Sequence, residues 1–467
     1  MSKKAICAAV VFAAIAWRCC AAPDAKGTPD ASVLPSEAHL KYHDCEIMAL
    51  VHWGLNTFTG QEWGYGNTPP SKLTPKRLDP EQWVVAMKAA EIKKVVLVAK
   101  HHDGFCLWPS KDNRDYSMSA VPAPNTGRDI VRETAEACRK HGLGFGVYLS
   151  PWDRHQASYS KPEYIDYFFA QWRDLMDNYG KLDEIWLDGA NGGTGWYGGA
   201  NGGKGERRSI PAGYYRKPEL MALLARKHPG AVAFGGGGER SVGWCGNERG
   251  SSPETWWCPR NIGGRMYWLP SEADFPLRRG WFWHKNQKPK SLKYLADSYF
   301  ATVGRGAVMN IGVAPDDEGR VCPDDAARLK EFGDWVREFE KTDFAAGAAI
   351  SAKCGGNDLE IELALPGARK FDCIDIREDI AKGQRIKSYS VEVSSGGKWI
   401  AAGSGTTVGG RRLHKVPAGE YASVRVKFEG IEPPNVKSIS LRSTPYAGEA
   451  EDRPAPAGVA AGKAAEK

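Results

Sequence analysis

The chain is 467 residues long, 42% hydrophobic, 25% charged and 10% aromatic, with a net charge of +7. These fractions are those of a folded protein of two or three domains, and they exclude a disordered or collagen-like chain. Residues 1–22 hold three basic side chains and no acid, and the +4 left on the remainder argues against a nucleic-acid partner.

That first segment, MSKKAICAAVVFAAIAWRCCAA, has a basic start, an apolar run from Ala5 to Trp17 and small residues after it. It predicts a secretory signal and therefore an exported protein, periplasmic or secreted. The run is short for a membrane span, so no transmembrane segment is expected. A lipid-attachment cysteine at Cys19 or Cys20 is the alternative, although Arg18 just before them suits it poorly. A Pro- and Ser-bearing linker, 23–36, follows.

Apolar β-type segments then alternate with helical ones. Strands are predicted at Glu46–Trp53, Lys94–Lys100, Leu143–Leu149, Glu184–Leu187, Ala231–Phe234 and Ala307–Ile311. Helices are predicted at Pro80–Ala90, Asp129–His141 and Lys161–Tyr179, with Gly142 and Gly180 as C-terminal stops. Strands that are apolar almost throughout and joined by helices indicate a parallel sheet covered on both faces. At this length that means a (β/α)8-type, TIM-like barrel over 37–343. No Gly-rich phosphate fingerprint follows the first strand, which counts against a dinucleotide-binding fold. The Gly-rich stretch 191–205 reads as a flexible insertion after the fourth strand.

Over 344–447 short alternating runs such as LEIELAL, SYSVEVSS and ASVRVKF, separated by Gly, Pro and Asn turns, predict an antiparallel β-sandwich. The tail 448–467, rich in Ala, Pro, Glu and Lys, reads as disordered. Eight cysteines remain beyond the signal, with no CxxC pair to suggest a zinc ribbon.

The chemistry-bearing residues share an address, the C-terminal ends of the predicted barrel strands, where barrel active sites lie. His52-Trp53-Gly54 ends the first strand, with Glu62-Trp63 shortly after it. Lys100-His101-His102-Asp103-Gly104-Phe105 ends the second, Tyr148 the third and Trp186-Leu187-Asp188-Gly189 the fourth. His52, His101, His102 and Asp188 are the residue types of a metal cage. Against that reading, adjacent His101 and His102 point opposite ways if the strand runs through them, and no HxH or HExxH spacing occurs.

The other reading is a polyol site: neutral His and Tyr bonding hydroxyls, Trp faces on C–H edges, and two carboxyls for chemistry. Asp188 directly follows an apolar stretch and is the candidate nucleophile; a helix cap or ion pair is the bland alternative. A second carboxyl must stay protonated to donate to a leaving oxygen, and Trp neighbours favour this by desolvation. Glu248, with Trp244, Trp256 and Trp257 nearby in sequence, is the candidate, and Glu239 and Glu254 are its rivals. Fourteen of the 17 Trp fall between Trp53 and Trp283, so the aromatic excess belongs to the barrel and its loops.

Together these motifs resemble the glycoside hydrolase family 29 α-L-fucosidases. HisTrpGly (52–54), GluTrp (62–63), LysHisHisAspGlyPhe (100–105), ArgAsp (128–129), Gly146-Val147-Tyr148 and IleTrpLeuAspGly (185–189) match the family pattern in order. GlyTrpPheTrpHis (280–284) and MetAsnIleGlyValAlaProAspAspGluGly (309–319) continue it. The resemblance implies exo-acting hydrolysis of fucosylated oligosaccharides or glycoconjugates by a retaining mechanism, with no cofactor or metal. Asp188 would be the nucleophile and Glu248 the acid/base. His52, His101 and His102 would bind fucose hydroxyls, Glu62, Trp63 and Tyr148 would line the pocket, and Trp281 would pack on the sugar. The Gly-Asn-Glu-x-Gly form around Glu248 is similar to the subgroup acting on branched α-1,3/1,4-fucosides of Lewis type. The lead-in at 233–240 and the loop 191–205 depart from that subgroup. A glycan-binding protein that has lost its chemistry is the non-enzymatic alternative; Asp188, whose absence would signal it, is present.

Overall fold

A computed structural model of the chain describes residues 27–190 and 210–448. The expected signal at 1–22, residues 23–26 of the linker, the stretch 191–205 and residues 449–467 of the tail lie outside the described residues. Eight parallel strands close a barrel. They are β1 (Ile47–Val51), β2 (Lys94–Lys100), β3 (Gly144–Leu149), β4 (Glu184–Trp186), β5 (Val232–Phe234), β6 (Ser241–Trp244), β9 (Ser271–Pro276) and β10 (Val308–Val313). A hairpin of β7 (Pro259–Ile262) and β8 (Arg265–Trp268) lies between β6 and β9. The expected barrel is therefore present, but two of its strands, β6 and β9, are ones that apolar patterning does not predict.

Side chains alternate as a closed barrel requires. On β1, Ile47, Ala49 and Val51 face the outer core, while Met48 and Leu50 join the interior with Val96, Val98, Trp186 and Phe234. Helix α1 (Glu37–Cys45), begun by Ser36 accepting from His39 N, contributes Ala38, Tyr42 and Cys45 to that interior cluster. The interior is not wholly apolar. Glu272 on β9 accepts hydrogen bonds from Tyr42 Oη (2.5 Å), Trp186 Nε1 (2.9 Å) and Asn310 Nδ2 (2.8 Å), and Lys94 pairs with Glu184 at 2.8 Å.

Helices α3 (Pro80–Lys88), α4 (Ile130–His141), α5 (Pro162–Asn178) and α6 (Lys217–Lys227) cover the first half of the barrel. The short α2 (Leu55–Thr59) follows β1. No helix lies between β5 and β6. Residues 235–240 alone join these parallel neighbours, and Gly235, Gly237 and Gly238 take positive φ values of 67°, 81° and 83° to do so. Helices α7 (Leu292–Ala301) and α8 (Pro323–Lys341) complete the ring. No helix among the described residues is long and apolar enough to cross a membrane.

The C-terminal region forms one continuous antiparallel sheet of six strands: β11 (Ala349–Gly355), β12 (Asp358–Glu378), β13 (Ile386–Ser395), β14 (Lys398–Gly405), β15 (Arg412–Gly430) and β16 (Val436–Arg442). The long strands β12 and β15 pair with register shifts at Ala364/Arg369 and Phe371/Cys373. Such irregularities bend strands, and residues of β12, β13, β15 and β16 share one core. Buried Arg411 binds this sheet to the barrel, reaching Asp375, Glu340, Glu46 and the Tyr299 hydroxyl. All eight described cysteines are free.

Candidate active site

The register of β2 against β3 shifts between Val98 and Lys100, and the strand ends there. The shift sends the Lys100 ammonium to Asp153 (2.8 Å) and Gln171 (3.0 Å). His101 and His102 then sit on a turn, and their rings approach to 4.1 Å between centroids. The expectation that adjacent histidines diverge assumes a continuing strand, and the irregularity removes that premise. His52, from the end of β1, lies 5.5 Å from His101 and 5.0 Å from Trp281. Even so, among the described residues no group of three His, Cys, Asp or Glu is arranged to hold a metal ion.

Burial depresses all three imidazoles. His52 is held at about 3 and His102 at about 4, and His101 falls well below the usual value with His102 and His52 adding to the effect. All three are neutral at working pH and can bond hydroxyls. For His102 the hydrogen bonds define the tautomer. Ser150 Oγ donates to the Trp152 carbonyl at 2.6 Å and so accepts from His102 Nδ1 at 2.7 Å. His102 Nε2 is left as an acceptor, 3.7 Å from Asp188 Oδ2.

Asp188 follows β4 by two residues and is 26% exposed. Its two oxygens have separate donors, Tyr148 Oη to Oδ2 at 2.9 Å and Ala190 N to Oδ1 at 2.7 Å. Burial, then the Asp188 charge, pushes the Tyr148 phenol well up, so it remains a donor. Glu248 lies on the loop after β6, solvent-accessible at the mouth of the site. Enough protein surrounds its carboxyl that desolvation is the leading cause of its raised pKa. A hydrogen bond with Trp281 opposes the rise, and the charges of Asp188 and Glu62 reinforce it.

The rivals of Glu248 are elsewhere. Glu239 is exposed and paired with Arg265. Glu254, 68% exposed, pairs with Arg305 and Arg412 at the junction with the C-terminal sheet.

Glu62 clamps two loops, accepting from Trp281 N at 2.8 Å and His284 Nε2 at 2.7 Å. Trp281 packs so closely over Gly312 that a Cβ there would lie 2.7 Å from its ring. Trp63 stands 49% exposed, edge-on to His102 (6.2 Å) and to Trp152 (5.6 Å). The structure thus brings every expected site residue to one end of the barrel. Sequence reasoning missed Trp152, whose ring lies 5.0 Å from His102, and Phe282, edge-on to His52 and His101 at 5.4 and 5.1 Å. It also missed Ser150 and Asp274. Trp152 and Ser150 lie within four residues of Tyr148, just past the end of β3, and that position is the sequence signal for them.

A family model described as alpha-L-fucosidase matches residues 31–341. Among curated proteins, alpha-L-fucosidase 1 of Arabidopsis thaliana is 33% identical, covering 81% of this chain and 81% of its own length. A glycoside hydrolase 29 family member from an unknown rumen bacterium superposes with a TM-score of 0.82 at 34% identity, over 92% of this chain and 79% of its own. A Ruminococcus gnavus GH29 fucosidase, solved in complex with fucose, gives 0.80 at 27% identity, over 90% and 97%.

Proposed function

Since the chain belongs to glycoside hydrolase family 29, the α-L-fucosidases, we propose that it releases terminal α-L-fucose with retention of configuration, acting on branched α-1,3/1,4-linked, Lewis-type glycans. The observation that carries this reading is the pair of carboxyls with opposed environments. Asp188 receives one hydrogen bond on each oxygen, which suits a group that reacts as an anion. Glu248 is shifted toward its protonated form by desolvation from the surrounding protein and by Asp188 itself. Divergent environments are how one pocket holds a nucleophile and an acid at the same pH.

In the first step Asp188 attacks the anomeric carbon while Glu248 gives its proton to the leaving oxygen. In the second, Glu248, now ionised, takes a proton from water, which attacks the anomeric carbon and frees Asp188. His52, His101 and His102, all neutral, bind the ring hydroxyls. Trp281 offers its face to the apolar side of the sugar, and Trp63 borders the entrance. The Gly-Asn-Glu-x-Gly form around Glu248 supports the branched-linkage preference, and residues 1–22 support export.

The test is hydrolysis of 4-nitrophenyl α-L-fucoside, 3-fucosyllactose and Lewis trisaccharides, with the anomer of released fucose followed by NMR. Retention, with loss of activity in Asp188→Ala and azide rescue of Glu248→Ala, is expected. An active Asp188→Ala or an inverted product would refute the mechanism, and loss of activity in EDTA would restore the metal reading. N-terminal sequencing of the exported protein checks the signal.

A further inference from the structure

Strand β6 has four residues, and only two pair with β9: Gly243 with Ser271 and Trp244 with Glu272. No helix precedes it, and Glu248 lies four residues beyond its end. So weakly laddered a strand end needs another tie if the acid/base is to be held within the tolerance that proton transfer demands.

Asp274 supplies one. It is the fourth residue of β9, 4% exposed, and two residues after Glu272 it shares that residue's face of the sheet, one step nearer the C-terminal end. Its Oδ1 accepts from Trp244 Nε1 at 2.6 Å, short for an N–H···O bond. Beyond Trp244 the loop has its own frame. Cys245 N donates to Glu272 O (2.9 Å), Asn247 Nδ2 donates to Cys245 O (3.2 Å) and Ser251 O (2.8 Å), and Arg249 N donates to Asn247 Oδ1 (3.1 Å). The Glu248 side chain then meets Trp281, which lies five residues after the end of β9. Two ties on the acid/base loop therefore run to the β9 segment, and a third comes from α7, where Tyr294 Oη donates to Arg249 O at 3.0 Å. The other interior acids have partners of their own, Glu272 gathering Tyr42, Trp186 and Asn310 and Glu184 pairing with Lys94, whereas Asp274 serves Trp244. Burial, Glu272 and Glu248 all push the Asp274 carboxyl up, against the Trp244 hydrogen bond, which lowers it.

We propose that Asp274 is a positioning residue for the proton-transfer step: through the Trp244 indole it fixes where the loop 245–250 presents the Glu248 carboxyl. The proposal rests on the reading of Glu248 as acid/base.

The experiment compares kcat/KM on two fucosides that differ in their need for a proton. From 3-fucosyllactose the lactose would have to leave as a poor alkoxide and requires the acid; from the 2,4-dinitrophenyl fucoside the stable phenolate leaves unaided. Asp274→Ala and Trp244→Phe should each lose about 10²-fold on the first substrate and less than about 3-fold on the second. Asp274→Asn, which keeps an oxygen for the indole, should stay within about 3-fold of the parent on both. Trp244→Phe carries the comparison if Asp274→Ala does not fold. Equal losses on both substrates, no loss on either, or an Asn variant as selectively impaired as Ala would overturn the proposal. Glu248→Ala is measured alongside. If it shows no selectivity for the poor leaving group, the acid/base reading itself falls; if it does and the Asp274 and Trp244 variants do not, only the positioning role falls.

Discussion

Replacing Asp103 by Asn is expected to stabilise the enzyme, and by an amount that grows with pH. Asp103 sits on the turn after His101 and His102, 4% exposed, with a long hydrogen bond of 3.4 Å from Phe105 N. Burial raises its carboxyl to about 7, and Asp153 adds to the rise while Lys100 opposes it. The folded protein thus keeps the proton up to about pH 7, whereas the unfolded chain releases it near 3.9. Between those values the folded state binds more protons, so this group's contribution to stability falls as pH rises and levels off above 7. A shift of about three pH units corresponds to about 4 kcal/mol at pH 8, against about 1.5 kcal/mol at pH 5. Asn has the shape of the neutral acid and never ionises. The gap between Asp103→Asn and the parent should therefore widen by about 2–3 kcal/mol from pH 5 to pH 8, roughly 5 °C in Tm for a domain of this size. Thermal unfolding at pH 5, 6, 7 and 8 measures it. A gap independent of pH, or an Asn variant less stable than the parent at pH 8, would refute the reasoning.

Asp325→Ala strands a guanidinium, because Arg278 Nε meets both Asp325 oxygens at 3.0 and 2.9 Å with side-chain exposures of 4% and 1%. It should cost about 3–5 kcal/mol and raise KM by loosening the loop that carries Trp281; an unchanged melting temperature would contradict the clamp. Glu254→Ala should keep its activity within about 2-fold and show no azide response, since its carboxylate serves Arg305 and Arg412; a large loss in kcat would move the acid/base to it. His52 and His102, depressed to about 3 and 4, should show neutral imidazoles at pH 5 in ¹⁵N NMR. Because the unfolded chain protonates these groups near 6.5, each costs about 2 kcal/mol of stability at pH 5, and a ring titrating near 6.5 in the folded protein would exclude this.

Six of the eight barrel strands can be read from apolar runs because their side chains face packed hydrophobic layers on both sides. β9 escapes that reading. Its SEADFP composition is strand-like only once Glu272 meets Tyr42, Trp186 and Asn310 and Asp274 meets Trp244. β6 escapes because it has four residues, follows a run of glycines and lacks the helix that elsewhere punctuates the barrel. The predicted sandwich appears as one continuous sheet, since β12 and β15 are long enough to bend at their register shifts.

For the site, residue type at the strand ends singled out the three histidines and the two candidate carboxyls, while the expected roles of Glu62, Trp63, Tyr148 and Trp281 came from the family resemblance; a closed barrel brings all of these positions to one rim. The sequence by itself therefore determined the architecture, the family and the inventory of chemical groups. Only the tertiary structure decided how those groups are set. The register shift at Val98/Lys100 turns two adjacent histidines toward each other, and Ser150 selects the His102 tautomer. Desolvation by the surrounding protein, with the charges of Asp188 and Glu62, raises Glu248 although it is solvent-accessible, whereas Glu254 lies at the domain junction, committed to arginines. Patterning reports which face of an element is apolar. Protonation state and ring orientation depend on desolvation and on partners 40 to 230 residues distant in the chain, which become neighbours only when the barrel closes.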